Sequence, residues 1–218
     1  MKTLIQLFEE NVAKYPNNVL LREKLVDAYQ PTTYSEAKAF IETYAAGLMS
    51  LGIKKGDRLA LLSEGRNDWV YSELAMLYTG AINVPLSIKL EPGEIKFRLE
   101  HSGTRMIIVS KSQAAKVESI MEELPELEKV IYLDGKASYS EKELDWKQVY
   151  HMGISYNREY PNNLQEAKTS VNGNDYANIT YTSGTTADPK GIILSHRNYT
   201  ANVEQALTLM TIPDYYKT

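Results

Sequence analysis

Apolar residues recur at helical spacing in two segments near the start of the chain. Thr3 with Gln6 forms a capping box before the first segment, and Thr33 with Glu36 forms another before the second. Gly52 stands where the second helix is expected to end. A short apolar run at 19–21 predicts a strand between the helices. The two apolar faces are Leu4, Leu7, Phe8 and Val12, then Ala37, Phe40, Ile41, Tyr44, Ala45 and Leu48.

Residues 57–134 alternate between short apolar runs and helical stripes. The runs lack alternation between apolar and polar positions, which is typical of strands that are covered on both faces. Helices are predicted between them, one capped by Asn67, one starting at Pro92 and one carrying Val117 to Leu124. This order predicts an α/β fold with a mostly parallel sheet flanked by helices. The predicted strands are 58–62, 81–84, 106–109 and 130–133.

Residues 135–175 change character, because they are polar and rich in Lys, Glu, Asn and Tyr. A weak helical stretch surrounds Trp146 and Val149, and the segment is expected to be a polar surface connection. Residues 176–195 then predict a strand, a loop and a second strand, and Ser195 can cap a final helix.

The loop between these two strands has the composition of a phosphate-binding segment. Four hydroxyl residues and a glycine occupy five consecutive positions, and a lysine follows. Hydroxyls, free backbone N–H groups and a lysine are the donors that a triphosphate needs, and the glycine lets the backbone approach a ligand closely. A Ser/Thr-rich hairpin turn with a solvated lysine is the alternative, which the length and order of the stretch disfavour. The candidate residues are Thr182, Ser183, Gly184, Thr185, Thr186 and Lys190.

Composition narrows the possible functions. The 218 residues carry a net charge of -4, which argues against a broad basic face for nucleic acid. There is no cysteine for a disulfide or a nucleophile, and the three histidines lack metal-ligand spacing. No run approaches the roughly 20 apolar residues of a transmembrane helix. We expect a cytoplasmic protein with small-molecule partners, no nucleic acid and no transmembrane segment.

The run Tyr181–Gly191 resembles the phosphate-binding signature of the adenylate-forming, or AMP-binding, superfamily. It differs from a Walker A loop, since Pro189-Lys190-Gly191 leads into a strand rather than a helix. The wider run 181–198 is most similar to long-chain fatty acyl-CoA synthetases. The resemblance covers nearly all of residues 1–218 and implies the N-terminal portion of the large domain, truncated, with the C-terminal parts absent. Segments 51–58, 64–69, 80–86 and 100–103 also resemble this family.

The resemblance implies a reaction in two halves. A carboxylate attacks ATP to give an acyl-adenylate and pyrophosphate, and coenzyme A then takes the acyl group. ATP with Mg²⁺ is implied, with the hydroxyls of residues 182–186 on the β- and γ-phosphates and Lys190 neutralising leaving-group charge. No catalytic or metal-binding residue is expected in this fragment. Because the family's adenine-binding segment and its C-terminal domain with the catalytic lysine are absent, the chain alone is expected to be inactive. Because the implied substrate is a fatty acid, peripheral association of the complete enzyme with a membrane is also expected.

Two alternatives stay open. One is another carboxylate-adenylating enzyme, acting on aryl or amino acids, and the other is a non-catalytic α/β binding module with a vestigial phosphate loop.

Single residues carry further expectations. Ala187 stands where the superfamily usually has glycine, so Ala187→Gly is expected to change ATP affinity or turnover modestly. His101 and His196 are expected to be structural, His196 through a hydrogen bond in the first turn of its helix. Open strand edges are expected to make the fragment self-associate.

Overall fold

A seven-stranded sheet with helices on both faces forms the body of the protein, and a separate two-stranded hairpin lies beside it. The α/β fold predicted from the sequence is confirmed. The computed structural model describes residues 2–182 and 189–209. In chain order its elements are α1 (Leu4–Lys14), β1 (Val19–Leu25), β2 (Ala28–Thr33), α2 (Tyr34–Ser50), β3 (Arg58–Leu62), α3 (Asn67–Tyr78), β4 (Ile82–Pro85), α4 (Pro92–Ser102), β5 (Thr104–Val109), a 3₁₀ turn (Lys111–Gln113), α5 (Ala114–Glu118), a second 3₁₀ turn (Met121–Glu123), β6 (Lys129–Tyr132), β7 (Glu143–Asp145), α6 (Trp146–Glu159), α7 (Asn163–Ser170), β8 (Tyr176–Thr182), β9 (Lys190–Ser195) and α8 (His196–Leu209).

The strand order of the sheet is β7-β6-β5-β3-β4-β8-β9. All neighbouring pairs are parallel except β8 and β9, which form an antiparallel hairpin. The chain leaves β3 toward β4 and leaves β5 in the opposite direction toward β6, so the topology switches between β3 and β5. Because β8 is parallel to β4, β8 ends at the edge of the sheet where the other parallel strands also end.

Two apolar layers cover the sheet. On β3, Leu59 and Leu61 face the layer formed with α1, α2, α3 and α6, while Ala60 and Leu62 face the layer formed with α4 and α5. All four side chains are fully buried. Burial on both faces explains why the strand lacks the alternation that an exposed sheet face would impose.

Most elements agree with the sequence, but two local predictions were wrong and one strand was missed. Both capping boxes are confirmed, at Thr3 and at Thr33. Asn67 does not cap α3: Arg66 is the N-cap residue, and its side chain pairs with Asp68 and Asp134 instead. The predicted helix over 117–124 is a short α5 followed by a 3₁₀ turn, although its apolar residues are buried as expected. Strand β2 was not predicted, since it contains Pro31 and has no apolar residue buried in the core.

The segment 135–175 is more than the surface connection that its composition suggested. It contributes β7, which pairs with β6 at one edge of the sheet, and it then forms α6 and α7. Val149 of α6 is fully buried in the layer that also contains α2. This polar stretch is therefore a structured part of the domain.

Candidate functional site

The hairpin of β8 and β9 brings two of the predicted phosphate ligands together. Thr182 and Lys190 are cross-strand partners that close the hairpin, and both side chains are exposed. The hairpin projects at the carboxyl edge of the parallel strands, where open α/β sheets bind their ligands. The predictions for Ser183, Gly184, Thr185 and Thr186, and for Ala187, lie outside the described residues.

Tyr181 fixes the hairpin to α4 on one face of the sheet. Its hydroxyl lies 2.8 Å from Nδ1 of His101, and the guanidinium of Arg98 lies 5.6 Å from the centroid of its ring. Burial raises the pKa of Tyr181, which keeps the phenol neutral and able to donate. Because Thr182 follows directly, these contacts set the position from which the phosphate loop begins. His101 therefore has a packing role, as predicted.

A polar interior supports the hairpin on the other face. The side-chain amide of Asn83 in β4 donates to the Glu73 carboxylate at 3.1 Å, and the Thr180 hydroxyl donates to the Asn178 side-chain oxygen at 2.6 Å. Asn83 and Asn178 are also the residues through which β4 and β8 pair. Burial raises the pKa of Glu73. The first hydrogen bond joins β4 to α3 and the second lies within β8, so they orient the side chains of Asn83 and Asn178 on either side of the β4–β8 pairing.

A second polar cluster occupies the switch point between β3 and β5. Glu64 accepts hydrogen bonds from the Ser112 hydroxyl and from Nε2 of Gln113, the latter at 2.8 Å. Burial opposes ionisation of Glu64, but hydrogen bonds from Ser112, Ser110 and Gln113 outweigh it and lower its pKa to about 2. This cluster links the segments that follow β3 and β5.

Sequence reasoning missed this cluster. The available signal was positional, because Ser110 follows a predicted buried strand directly and Glu64 lies two residues after another, and parallel strands end at one edge of their sheet. Asp134, which follows β6, joins the same edge by accepting from Nη1 of Arg66 at 2.9 Å and from the backbone N–H of Lys111 at 2.9 Å. The edge is thus built from polar residues beyond those of the phosphate loop.

His196 is buried and has the structural role predicted for it. Its Nδ1 accepts a hydrogen bond from the backbone N–H of Leu4 at 3.3 Å, which satisfies a free donor at the start of α1. Burial lowers the pKa of His196 to about 4, so the ring is neutral at pH 7 and can accept. Within residues 2–182 and 189–209, no group of three or more His, Asp or Glu side chains is placed to hold a metal ion.

None of the helices in the described ranges is both long enough and apolar enough to cross a bilayer.

The comparison with known families identifies the class of protein. A family model described as "AMP-binding enzyme" matches residues 8–216, and the chain belongs to this family. It is 26% identical over 201 residues to the long-chain-fatty-acid–CoA ligase ACSBG2 of Xenopus laevis, covering 91% of this chain and 27% of that protein. It is 28% identical over 221 residues to the human mitochondrial medium-chain acyl-CoA ligase ACSF2, covering 92% of this chain and 34% of that protein.

A solved structure has the same fold. The anthranilate CoA ligase AuaEII in complex with anthranoyl-AMP matches with a TM-score of 0.75 at 23% identity, covering 93% of this chain and 36% of that one. The chain thus spans about a quarter to a third of the length of the curated relatives named here.

Proposed function

We propose that these residues bind the triphosphate of ATP in an enzyme that activates a carboxylic acid as its acyl-adenylate and transfers the acyl group to coenzyme A. The observation that carries the proposal is the pairing of Thr182 with Lys190 at the carboxyl edge of the sheet. It puts a hydroxyl donor and a cation on either side of a loop that contains three further hydroxyls and a glycine.

The proposed chemistry needs positioning and charge rather than a protein nucleophile. A carboxylate oxygen of the acid forms a bond to the α-phosphorus, the bond between that phosphorus and the bridging oxygen breaks, and pyrophosphate leaves. Negative charge grows on the leaving group during this step. The hydroxyls of Thr182, Ser183, Thr185 and Thr186, with nearby backbone amides, donate to the β- and γ-phosphates, and Lys190 adds a positive charge. Gly184 lets the backbone come close to these oxygens.

Mg²⁺ fits this arrangement as a companion of the nucleotide. When bound, it neutralises part of the triphosphate charge. Lys190 is the cross-strand partner of Thr182, and its positive charge repels a bare cation. We propose that phosphate oxygens are the main ligands of the metal, with the Thr182 hydroxyl available beside them.

A long-chain fatty acid is the acid we propose. The similarity to ACSBG2 and the run 181–198 support this choice, while the similarity to ACSF2 supports a medium-chain acid. An aryl acid is the second candidate, favoured by the shared fold with a ligase that carries anthranoyl-AMP. The third candidate is a non-catalytic module that keeps the fold with a vestigial loop.

Calorimetry with Mg-ATP tests the binding site directly. Lys190→Met should weaken the affinity by about tenfold or more, because charge-assisted hydrogen bonds are worth roughly 1.5–3 kcal/mol. Lys147→Met is the matched control, since Lys147 is also exposed but lies on α6, which follows the strand at the opposite end of the sheet. Equal affinity for the wild type and Lys190→Met would contradict the proposed site.

The reaction is tested by acid-dependent exchange between ATP and pyrophosphate in the full-length polypeptide that carries these residues. Palmitate, octanoate and anthranilate, offered separately, distinguish the three acid classes. Exchange that is strongest with palmitate supports the long-chain proposal. If Mg-ATP binds but none of the three acids supports exchange, the result favours the non-catalytic module.

A further inference from the structure

The turn that joins β1 and β2 exposes an apolar tip. Val26 is 90% exposed, Tyr29 is 63% exposed and Leu25 is 52% exposed. These three side chains lie within five consecutive residues of a hairpin that is not part of the main sheet. The hairpin is attached near its base, where Leu20 and Leu21 pack against the core and the Tyr71 hydroxyl donates to Thr32 at 3.2 Å.

Val26 has a conformation that its side chain disfavours. Its φ is 55°, and no other non-glycine residue in the described part of the chain has a positive φ. Branching at Cβ makes this left-handed region costly for valine, and glycine or asparagine usually occupies such turns. The side chain gains little from the fold in return, because it is almost completely exposed. A contact outside the folded chain would account for an apolar residue at this position.

The two faces of the hairpin carry different charges. Glu23 faces the body of the protein, where its charge adds to the effect of burial in raising the pKa of Asp68. Because side chains alternate along a strand, Arg22 and Lys24 face away from the body. Lys24 is the cross-strand partner of Tyr29, so a cation and a phenol lie side by side just behind the tip. Asp27 adds one negative charge in the turn itself.

We propose that this tip docks into a lipid surface that carries anionic headgroups. Leu25 and Val26 enter the apolar boundary, Tyr29 lies at the level of the headgroups, and Arg22 and Lys24 bind phosphate oxygens. Small apolar residues, an interfacial tyrosine and flanking bases are the combination that suits such a surface. The docking is peripheral and needs no spanning helix. It does not depend on the proposed activity, so the two proposals fail separately.

Co-sedimentation of the 218-residue chain with vesicles tests the docking. The probe is phosphatidylcholine vesicles with and without phosphatidylglycerol. Val26→Asn should lower vesicle partition about tenfold, because it removes one buried aliphatic side chain. Asparagine tolerates a positive φ, so the fold should be kept or stabilised. Lys24→Gln should lower binding only to vesicles with phosphatidylglycerol, by about fivefold. Tyr160→Asn removes an exposed aromatic residue outside the hairpin and should leave binding to both kinds of vesicle unchanged.

A single label gives a direct measure of insertion, because the chain has no cysteine. An environment-sensitive fluorophore on Val26→Cys should shift its emission to the blue when vesicles are added, and the same label on Tyr160→Cys should not. Unshifted emission at position 26, or equal vesicle partition of wild type and Val26→Asn, would overturn the proposal. Loss of self-association in Val26→Asn without loss of vesicle binding would instead identify the tip as a contact with a second copy, and would equally overturn it.

Discussion

Gly47 of α2 and Gly153 of α6 lie against each other where the two helices meet backbone to backbone. A Cβ atom on Gly153 would lie 1.9 Å from the carbonyl oxygen of Thr43 and 2.8 Å from the backbone nitrogen of Gly47. A Cβ atom on Gly47 would lie 2.1 Å from the carbonyl oxygen of Val149. Neither clash can be relieved by a rotamer change, since the opposing atoms belong to the backbone.

Gly153→Ala should lower the free energy of unfolding by about 3 kcal/mol, because the helices must separate to admit the methyl group. Urea denaturation measures this loss. Gly93→Ala is the control, since Gly93 is also helical but has open space around it. Alanine favours helix over glycine, so the control should be neutral or stabilising by up to about 1 kcal/mol. Equal stability of the two variants would contradict the close helix contact.

Residues 135–175 were expected to be a surface connection because most of them are polar. The signal for α6 was the weak helical stretch around Trp146 and Val149, and in the structure Trp146 and Tyr150 pack against Phe40 of α2. The glycine at the closest approach of the two backbones adds no large apolar residue to that stripe, so the stripe understates how closely the helices pack. The strands 58–62 and 106–109 were predictable because their burial on both faces requires apolar residues throughout.

The residues of the candidate site also fall into a group that the sequence predicts and a group that it does not. Thr182 and Lys190 were predictable because the loop chemistry lies in one continuous stretch of sequence. The cluster of Glu64 with Ser112 and Gln113 was missed because its members meet only through the strand order, which places β5 beside β3 across a crossover. Local patterns do not encode that adjacency.

The buried imidazole of His196 should make stability depend on pH. Its folded pKa is about 4, lowered by burial from an unfolded value near 6.5. The unfolded chain therefore binds a proton before the folded chain does, so the contribution is complete above about pH 6.5 and is lost as the pH falls toward 4. The loss has an upper limit of about 3 kcal/mol.

His196→Asn isolates this effect, because asparagine keeps an acceptor for the Leu4 N–H and cannot titrate. Between pH 7.5 and pH 5, the free energy of unfolding should fall more for the wild type than for the variant. Asp175, whose charge favours the protonated ring, and Lys55, whose charge opposes it, are present in both proteins. Equal losses of unfolding free energy in the wild type and the variant would exclude His196 as the titrating group.

Tyr181→Phe tests whether α4 positions the phosphate hairpin. The variant keeps the ring over which Arg98 lies and removes the hydroxyl that contacts His101. We expect a loss of about 1 kcal/mol in stability, and a several-fold loss of Mg-ATP affinity because Thr182 follows directly. His101→Ala should add little in the double variant, since both changes break one hydrogen bond. Fully additive losses in denaturation and calorimetry would show that the two side chains act independently.

The outer edge of β9 should drive self-association. In the described ranges β9 pairs with β8 alone, and its central residues Ile192 and Ile193 are 46% and 51% exposed. Unpaired backbone groups beside apolar side chains favour pairing with a second strand, whereas a lysine on an edge strand opposes it. Sedimentation velocity should therefore show association that rises with concentration in the wild type and is reduced in Ile193→Lys. Tyr160→Lys adds the same charge elsewhere on the surface and should leave association unchanged. A wild type that stays monomeric at every concentration, with a sharp transition at high temperature, would contradict an exposed adhesive edge.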